Sequence, residues 1–373
     1  MPSTVGMLVA ELLPGRNSDW LEVWANCFAL ALDEARENGA LEQPVELVTR
    51  AVEGLPTGSQ ADVVRAWREL EREGVVAVLG PSNADNGMAV RDTANDHRTA
   101  TILFGCSEQL ASEWTFSVPW GSAPEDAYLA LHWVARQGRR SVGVLWDSAW
   151  HAEEWHAYAR LAARRFGVDI LGDVRIPAEC VGEEAKTRQL EQARRGVERL
   201  RRLGPEALVM MTSHGSIPFA TAVRDSGWDV PRVVVGGSFG VARRLPELFT
   251  GWVGTCLWDD ANPMFTRFIT CYEQRFGTRP LEDMAIPVYD GCRALLEGLA
   301  LAPIMTRAGV RTGLERVKLL PATTGGPGSV LSFGPYDHRG YKGPDISILR
   351  RQETATTDGC RFEGYYRPEP APR

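Results

Sequence analysis

The chain has 373 residues, of which 44% are hydrophobic and 24% charged, and these values are ordinary for a globular protein of two or three domains. Its formal net charge of −7 argues against a general nucleic-acid-binding protein. No apolar run reaches the roughly 18 residues that a membrane-spanning helix needs, so no membrane span is expected. The N-terminal stretch MPSTVGMLVAELLPGR has neither a basic region nor a small-residue cleavage site, so it predicts a first strand and not a signal peptide. We therefore expect a cytoplasmic protein as written, or an extracytoplasmic one if the numbering starts after processing.

Cysteine and histidine usage indicates neither a metal site nor a disulfide framework. Seven cysteines are scattered along the chain without a C-x-x-C pair, and we expect most of them to be small buried hydrophobes. The sequence leaves open whether any of them pair. The six histidines have no spacing such as H-E-x-x-H, and neither G-x-G-x-x-G nor G-x-x-x-x-G-K-[ST] occurs. No metal and no nucleotide cofactor is therefore expected.

The first third of the chain alternates between strand and helix patterns. Short apolar runs predict buried strands, and stretches of helical period that follow Ser, Asn or Asp predict helices. Strands are expected at 5–13, 45–51, 75–79 and 99–104, and helices at 20–38 (capped by Ser18 or Asp19), from Ser59 or Asp62 onward, and at 82–97. This β-α-β-α order predicts a doubly wound parallel sheet.

A second alternation follows an irregular stretch at 114–123, which we interpret as a crossing between two lobes. Helices are expected at 125–137, 153–166, 188–203 and 218–226, and strands at 141–147, 169–176, 207–212 and 232–235. The pattern changes after a strand-like stretch at 251–257. Three successive helices are expected at 262–276, 283–301 and 307–318, followed by two strands at 330–333 and 346–350 that are compatible with a hairpin, and a loose tail at 368–373.

Candidate binding residues follow the strands, because ligands of open parallel sheets bind beyond the carboxyl ends of the strands. Gly80-Pro81 ends the third strand, and Ser82 and Asn83 are good helix N-cap residues, so a new helix points its N-terminus at this turn. The plain alternative is an ordinary strand–helix turn. The hydroxyl, small and aromatic residues at strand ends suit a neutral or carboxylate-bearing small molecule; they are Ser82, Asn83, Gly105, Cys106 and Ser107 in the first set and Trp150, Ser213, His214, Ser238 and Phe239 in the second.

Two other functions are weighed against binding. Gly105-Cys106-Ser107 resembles a nucleophile position, and His97, His151 or His214 would be the candidate bases of a hydrolase. Catalysis needs a histidine within hydrogen-bond reach of the sulfur, and no spacing indicates one. The basic run at 194–202 is interpreted as the solvated face of a helix, with nucleic-acid binding as the alternative.

The order of elements and the loop residues resemble the type I periplasmic binding proteins, in the branch that serves uptake of branched-chain amino acids and amides. The resemblance runs through nearly the whole chain, in VGMLVAELLPG, VVAVLGPSN, TATILFGCSE, SVGVLWDSAW, ALVMMTSHGSIPFATAVRDSGW and VYDGCRALLEGLA, although no single motif is diagnostic. It implies two doubly wound α/β lobes joined by three hinge crossings, with a ligand cleft between them. The lobes would comprise 1–118 with 255–329, and 119–254 with 330–373.

The resemblance also implies residue roles. Ser82 and residues 105–107 match the lobe-one loops that hold a ligand carboxylate or amide, and Trp150 falls where family members place an aromatic that closes over the ligand. Ser213 or His214 matches a further contact from lobe two. Amino-acid binders of this branch carry an acidic residue after the strand written here as RVVVGG, where this chain has Ser238-Phe239. Because a buried ammonium without a carboxylate partner is costly, we expect plain α-amino acids to be poor ligands and an amide, a carboxylic acid or an aromatic acid to be better ones.

Two functions within this family fit the sequence. The first is the substrate-binding component of an ABC-type importer, with a permease as partner. The second is an intracellular ligand sensor that acts on a regulatory protein, since the family includes a cytosolic amide sensor that also lacks an export signal. A hydrolase that uses Cys106 is the third, remote alternative.

Overall fold

The computed structural model of the protein describes residues 3–10, 17–178, 182–212, 216–236, 241–242, 244–280 and 282–367. The chain divides into two compact units, one of Met1–Trp120 with Trp258–Gly343 and one of Gly121–Leu257 with Pro344–Arg373. The chain therefore passes from one unit to the other three times. The segment 330–343, which was expected in the second lobe, belongs to the first unit.

The first unit is built on a five-stranded parallel sheet with strand order β2-β1-β3-β4-β5. The strands are β1 (Ser3–Val9), β2 (Val45–Ala51), β3 (Ala77–Leu79), β4 (Ala100–Leu103) and β5 (Thr115–Ser117). The helices between them are α1 (Asn17–Glu37), α2 (Gln60–Arg72) and α3 (Ala84–His97), and a 3₁₀ turn, Glu108–Leu110, precedes β5.

One predicted helix cap in this unit is confirmed, and another is wrong. The Ser59 hydroxyl accepts a hydrogen bond from the Asp62 backbone N–H, so Ser59 caps α2. The predicted cap of α1 is wrong, because Ser18 and Asp19 lie inside that helix. The helix α2 buries Trp67 against the sheet, where its indole Nε1 donates to the Thr101 hydroxyl at 3.3 Å.

The second unit is built on a seven-stranded sheet, and its first part again alternates helix and strand. These elements are α4 (Ala123–Arg136), β6 (Ser141–Asp147), α5 (Trp150–Phe166), β7 (Asp169–Ile176), α6 (Gly182–Leu203), β8 (Ala207–Met211), α7 (Ser216–Ser226), β9 (Arg232–Val235), α8 (Pro246–Phe249) and β10 (Trp252–Cys256). The five strands β6 to β10 run parallel, in the order β10-β9-β8-β6-β7.

The chain then returns to the first unit and ends in the second. The returning helices and strands are α9 (Pro263–Phe276), α10 (Glu282–Ala300), α11 (Arg307–Glu315), β11 (Leu320–Pro321), β12 (Val330–Leu331) and β13 (Tyr341–Lys342). The last three form a small antiparallel sheet. The final strands, β14 (Ile348–Gln352) and β15 (Cys360–Gly364), extend the second sheet antiparallel to β10.

Two predictions about the segments outside the main alternation turn out differently, and a third is not tested. The expected hairpin of 330–333 with 346–350 is wrong, because β12 pairs with β11 and β13 while β14 pairs with β10. The stretch 114–123 is not irregular throughout, since it contains β5. The predicted tail at 368–373 lies outside the described residues.

A buried carboxylate holds the returning segment in place within the first unit. Asp290 on α10 is fully buried and accepts hydrogen bonds from the backbone N–H groups of Thr323 (2.8 Å) and Thr324 (3.0 Å) and from the Tyr341 hydroxyl (3.1 Å). The Asn262 amide, from before α9, donates to the carbonyls of residues 322, 323 and 325. These bonds fix the loop that links β11 to β12.

The described cysteines are mostly core residues, and none of them forms a disulfide. Cys271 is partly exposed, and the buried ones are Cys27, Cys106, Cys256, Cys292 and Cys360. Burial raises the pKa of the Cys27 thiol well above its ordinary value.

Gly80, directly after β3, is expected to be intolerant of a side chain. Its φ is +95°, and an added Cβ would lie 2.1 Å from the Leu8 carbonyl oxygen. Because backbone atoms on both sides would have to shift, Gly80→Ala should lower the free energy of unfolding by about 3 kcal/mol or more in urea denaturation.

Gly74 provides the matched control for this substitution. Its φ is +80°, but no atom lies within 4 Å of an added Cβ. Gly74→Ala should therefore cost only the backbone strain, about 1 kcal/mol. Equal losses in the two variants would contradict the assignment of a close backbone contact at Gly80.

Candidate ligand-binding edge

The loops that follow β3, β4 and β5 are joined by backbone hydrogen bonds at one edge of the first sheet. The Phe104 N–H donates to the Pro81 carbonyl at 3.1 Å, and the Trp120 N–H donates to the Phe104 carbonyl at 2.9 Å. The Gly80 N–H donates to the Ile102 carbonyl at 2.8 Å. Because the strands are parallel, all three loops lie at their carboxyl ends, and the five candidate residues of this unit are brought together there.

The side chains of Asn83 and Ser107 cap helical turns. The Asn83 Oδ1 accepts from the backbone N–H groups of Asp85 (2.8 Å) and Asn86 (3.3 Å), so Asn83 is the N-cap of α3. The Ser107 hydroxyl accepts from the Gln109 N–H at 3.2 Å. Both side chains are therefore explained by the plain alternative, an ordinary turn with a capping residue. The N-terminus of α3 points at the same edge.

The remaining candidates of this unit are buried. Ser82 is 4% exposed and Cys106 is 1% exposed. Gly105 lies so close to the start of α3 that an added Cβ would be 3.0 Å from the Ala84 Cα and 2.6 Å from a Leu110 methyl group. A glycine at 105 thus allows the loop after β4 to pack directly on α3.

Two side chains that sequence reasoning missed belong to this edge. The half-buried Trp120 follows β5, and its indole Nε1 donates to the Ser82 carbonyl at 2.9 Å. Asn86 is fully buried, and its amide both donates to the Leu55 carbonyl (3.1 Å) and accepts from the Leu55 N–H (2.9 Å), which fixes the loop after β2. Sequence reasoning missed Trp120 because it did not predict β5. Asn86 could have been found from the sequence, because it is a polar residue at a buried position of a predicted helix.

In the second unit, only one of the candidate residues can be placed. Trp150 is the first residue of α5, directly after β6, and it is 39% exposed. Ser213, His214, Ser238 and Phe239 lie outside the described residues. The edge itself is held by the buried Asp147, which accepts from the Thr212 hydroxyl at 2.6 Å and from the Ala149 N–H at 3.1 Å.

The histidines proposed as bases for Cys106 are not gathered around it in the first unit. His97 is the last residue of α3, whereas Cys106 lies near the first turn of that helix. A helix of 14 residues is about 20 Å long, which is far beyond hydrogen-bond reach. His97 instead pairs with Glu71 at 3.1 Å. His151 belongs to the second unit, and His214 is outside the described residues.

The chain thus forms two α/β units joined by three crossings, one built on a parallel sheet and the other on a sheet in which β6 to β10 run parallel. The chain belongs to the periplasmic binding protein family, whose family model matches residues 2–343. The resemblance inferred from sequence is therefore confirmed, and the chain is a binding protein by this membership. Comparison with curated proteins gives no match.

Solved structures share the fold over nearly the whole chain. A type 1 periplasmic binding protein from Bordetella pertussis Tohama I is 17% identical with a TM-score of 0.78, and the match covers 94% of this chain and 96% of that one. A substrate-binding protein of an ABC transporter from Desulfitobacterium hafniense, in complex with Leu, is 17% identical with a TM-score of 0.73 and coverages of 97% and 99%. A solute-binding protein of an ABC transporter from Rhodopseudomonas palustris BisB5, in complex with 3,4-dihydroxybenzoic acid, is 14% identical with a TM-score of 0.74 and coverages of 94% and 93%. The predicted fold class is thereby confirmed. Within the described residues, none of the helices combines the length and apolarity needed to cross a membrane.

The cap assignment at Asn83 predicts a specific pattern of substitutions. Asn83→Ala should lower the free energy of unfolding by about 1 kcal/mol, because two N–H groups of α3 lose their acceptor. Asn83→Asp should restore most of this stability, since a carboxylate also caps a helix N-terminus. Chemical denaturation of the two variants checks this, and equal losses would show that the amide nitrogen matters more than the cap.

Proposed function

We propose that the protein is the substrate-binding component of an ABC-type importer and that it binds its solute at the carboxyl edges of its two sheets. The observation that carries this proposal is the set of joined loops after β3, β4 and β5, which gathers Ser82, Cys106, Ser107 and the N-terminus of α3 at one edge. Family membership supports it. In this proposal Trp150 and the strand-end loops of the second unit add the contacts that favour a closed, ligand-bound state.

The preferred solute is an amide, a carboxylic acid or an aromatic acid. Helix N-termini and backbone N–H groups favour carboxylate and amide oxygens. Two acidic groups at the described strand ends already have partners: Asp147 accepts a hydrogen bond from Thr212, and Glu108 pairs with Arg339. Among the solved structures with this fold, one is in complex with the amino acid Leu and another with an aromatic acid, 3,4-dihydroxybenzoic acid. An ammonium group would need a carboxylate partner, and these two carboxylates already have partners of their own.

A ligand panel tests this preference by calorimetric titration. We expect an aromatic acid such as 3,4-dihydroxybenzoate, or a short aliphatic amide, to bind at least tenfold more tightly than leucine or valine, a difference of about 1.4 kcal/mol. Micromolar binding of leucine or valine would contradict the proposed preference while leaving the binding function intact.

Ser82 is the residue whose loss should weaken binding most directly in the first unit. Removing its hydroxyl would leave a buried group of the ligand unpaired, so Ser82→Ala should weaken the bound panel ligand by about 1–3 kcal/mol. The matched control is Ser332→Ala, because the Ser332 hydroxyl binds the Leu319 N–H beside the small sheet. If Ser82→Ala binds as tightly as the control, the site is placed wrongly.

An intracellular sensor that acts through a regulatory protein would share this binding step. Neighbouring permease and ATPase genes would favour the importer, and a neighbouring regulator or hydrolase gene would favour the sensor. The third alternative, a hydrolase that uses Cys106, predicts that alkylation of Cys106 abolishes hydrolysis of an amide or ester substrate. We expect no such hydrolysis before or after alkylation.

A further inference from the structure

The segments through which the chain leaves or re-enters the first unit are connected to one another by hydrogen bonds within that unit. The three crossings are Trp120–Gly121, Leu257–Trp258 and Gly343–Pro344. On the side of the first unit they are reached by residues 117–120, 258–262 and 338–343, the first, second and third crossing segments. The connections are either direct or made through the loop 322–325 between β11 and β12.

The first and third crossing segments are joined directly by main-chain hydrogen bonds. The Ser117 N–H donates to the His338 carbonyl at 2.9 Å, and the Gly340 N–H donates to the Ser117 carbonyl at 2.8 Å. Ser117 is buried and is the last residue of β5. Because a buried main-chain group without a partner is costly, neither segment can move away without a penalty to the other.

The second crossing segment is joined to the loop 322–325. The Asn262 side-chain amide is 2% exposed as part of its residue and donates to three carbonyls of this loop, at 2.9 to 3.3 Å. Trp258, at the crossing itself, forms a parallel bridge with Gly325. Both ends of the second crossing segment are therefore held by one loop.

The third crossing segment is joined to the same loop through a tyrosine hydroxyl. The Tyr341 hydroxyl donates to Asp290 at 3.1 Å and accepts from the Thr324 hydroxyl at 2.7 Å. Asp290 also accepts from the N–H groups of Thr323 and Thr324, at 2.8 and 3.0 Å. All four residues are buried. The loop 322–325 thus shares hydrogen bonds with the second and the third crossing segments.

The first crossing segment also reaches the candidate ligand-binding edge. The Trp120 N–H donates to the Phe104 carbonyl, and its indole Nε1 donates to the Ser82 carbonyl, both at 2.9 Å. A continuous set of hydrogen bonds therefore runs from the loops after β3 and β4 to all three crossing segments.

We propose that the three crossing segments and the loop 322–325 form one crossing frame that tightens or loosens as a unit. Asn262 and Tyr341 are its positioning residues, since each ties one crossing segment to the shared loop. The frame fixes the candidate edge relative to all three exits of the chain, so that bending of the crossings takes place outside it. That consequence rests on the proposed binding function, whereas the frame itself needs no ligand.

Shared partners are the physical reason for joint loosening. Each of these hydrogen bonds is buried, so breaking one leaves a polar group unpaired. If one crossing segment releases the loop 322–325, the loop loses the geometry that the bonds of the other segment require. Groups that share partners in this way affect each other's stability, and the effect is reciprocal. Segments that were held independently would show no such reciprocity.

Hydrogen exchange measured by mass spectrometry on the intact, ligand-free chain tests the frame. Tyr341→Phe removes one hydroxyl, and Asn262→Ser removes the amide donors while it keeps an N-cap residue for α9. Either substitution should lower protection about tenfold in the loop and in the second and third crossing segments, the factor that corresponds to one net hydrogen bond. Protection of the first crossing segment should fall in the same direction. Loss confined to the segment that carries the substitution would overturn the proposal.

Thr306→Ala is the matched control for these two variants. The Thr306 hydroxyl accepts from the Gly309 N–H at 3.1 Å and caps α11, in the same unit but outside the frame. Its loss also removes one hydrogen bond and should leave protection of the frame unchanged. If Asn262→Ser fails to fold, Thr324→Val takes its place, since it removes only the hydroxyl that binds Tyr341. Unchanged protection of the second crossing segment in both Thr324→Val and Tyr341→Phe refutes the frame.

Discussion

The backbone hydrogen bonds between neighbouring strand-end loops are the constraint on which the candidate site depends. Parallel pairing places the ends of β3, β4 and β5 at the same edge, and the bonds from Phe104 to Pro81 and from Trp120 to Phe104 then set the spacing of the loops. Gly80 and Gly105 make this spacing possible, since a side chain at either position would meet neighbouring atoms within 3 Å. Backbone atoms, and not side chains, therefore set the spacing of the loops at this edge.

The alternation of apolar strands with amphipathic helices made most of the fold predictable from sequence. Strands at 45–51, 141–147, 169–176 and 232–235 occur with the expected bounds, because each is bounded by turn or cap residues. The three-residue strand β5 escaped prediction, since TFS is too short for a periodic signal between Trp114 and Pro119. The pairing of β14 with β10 also escaped prediction, because its partner residues lie 92 to 98 positions apart in the chain and leave no local pattern.

The candidate site was predictable only to the level of its edge. The rule that ligands bind beyond strand ends selected Ser82, Asn83 and residues 105–107, which the structure gathers. It did not distinguish a side chain that caps a helix from one that is available to a ligand, and Asn83 and Ser107 are caps. That distinction depends on where the helix begins within two residues, which is the least certain feature of any helix pattern.

Two buried aspartates, Asp290 in the first unit and Asp126 in the second, have different surroundings. Asp290 accepts two backbone N–H bonds and a tyrosine hydroxyl, and Arg293 lies 3.6 Å away, so its carboxylate has donors on several sides. Burial raises the pKa of both groups, and a cation, Arg293, opposes this rise at Asp290. At Asp126 the neighbouring charge is the like charge of Glu125, which raises its pKa, whereas the Ser347 and Thr255 hydroxyls lower it. The returning segment of the first unit is therefore fixed by one buried aspartate whose oxygens accept hydrogen bonds from three donors.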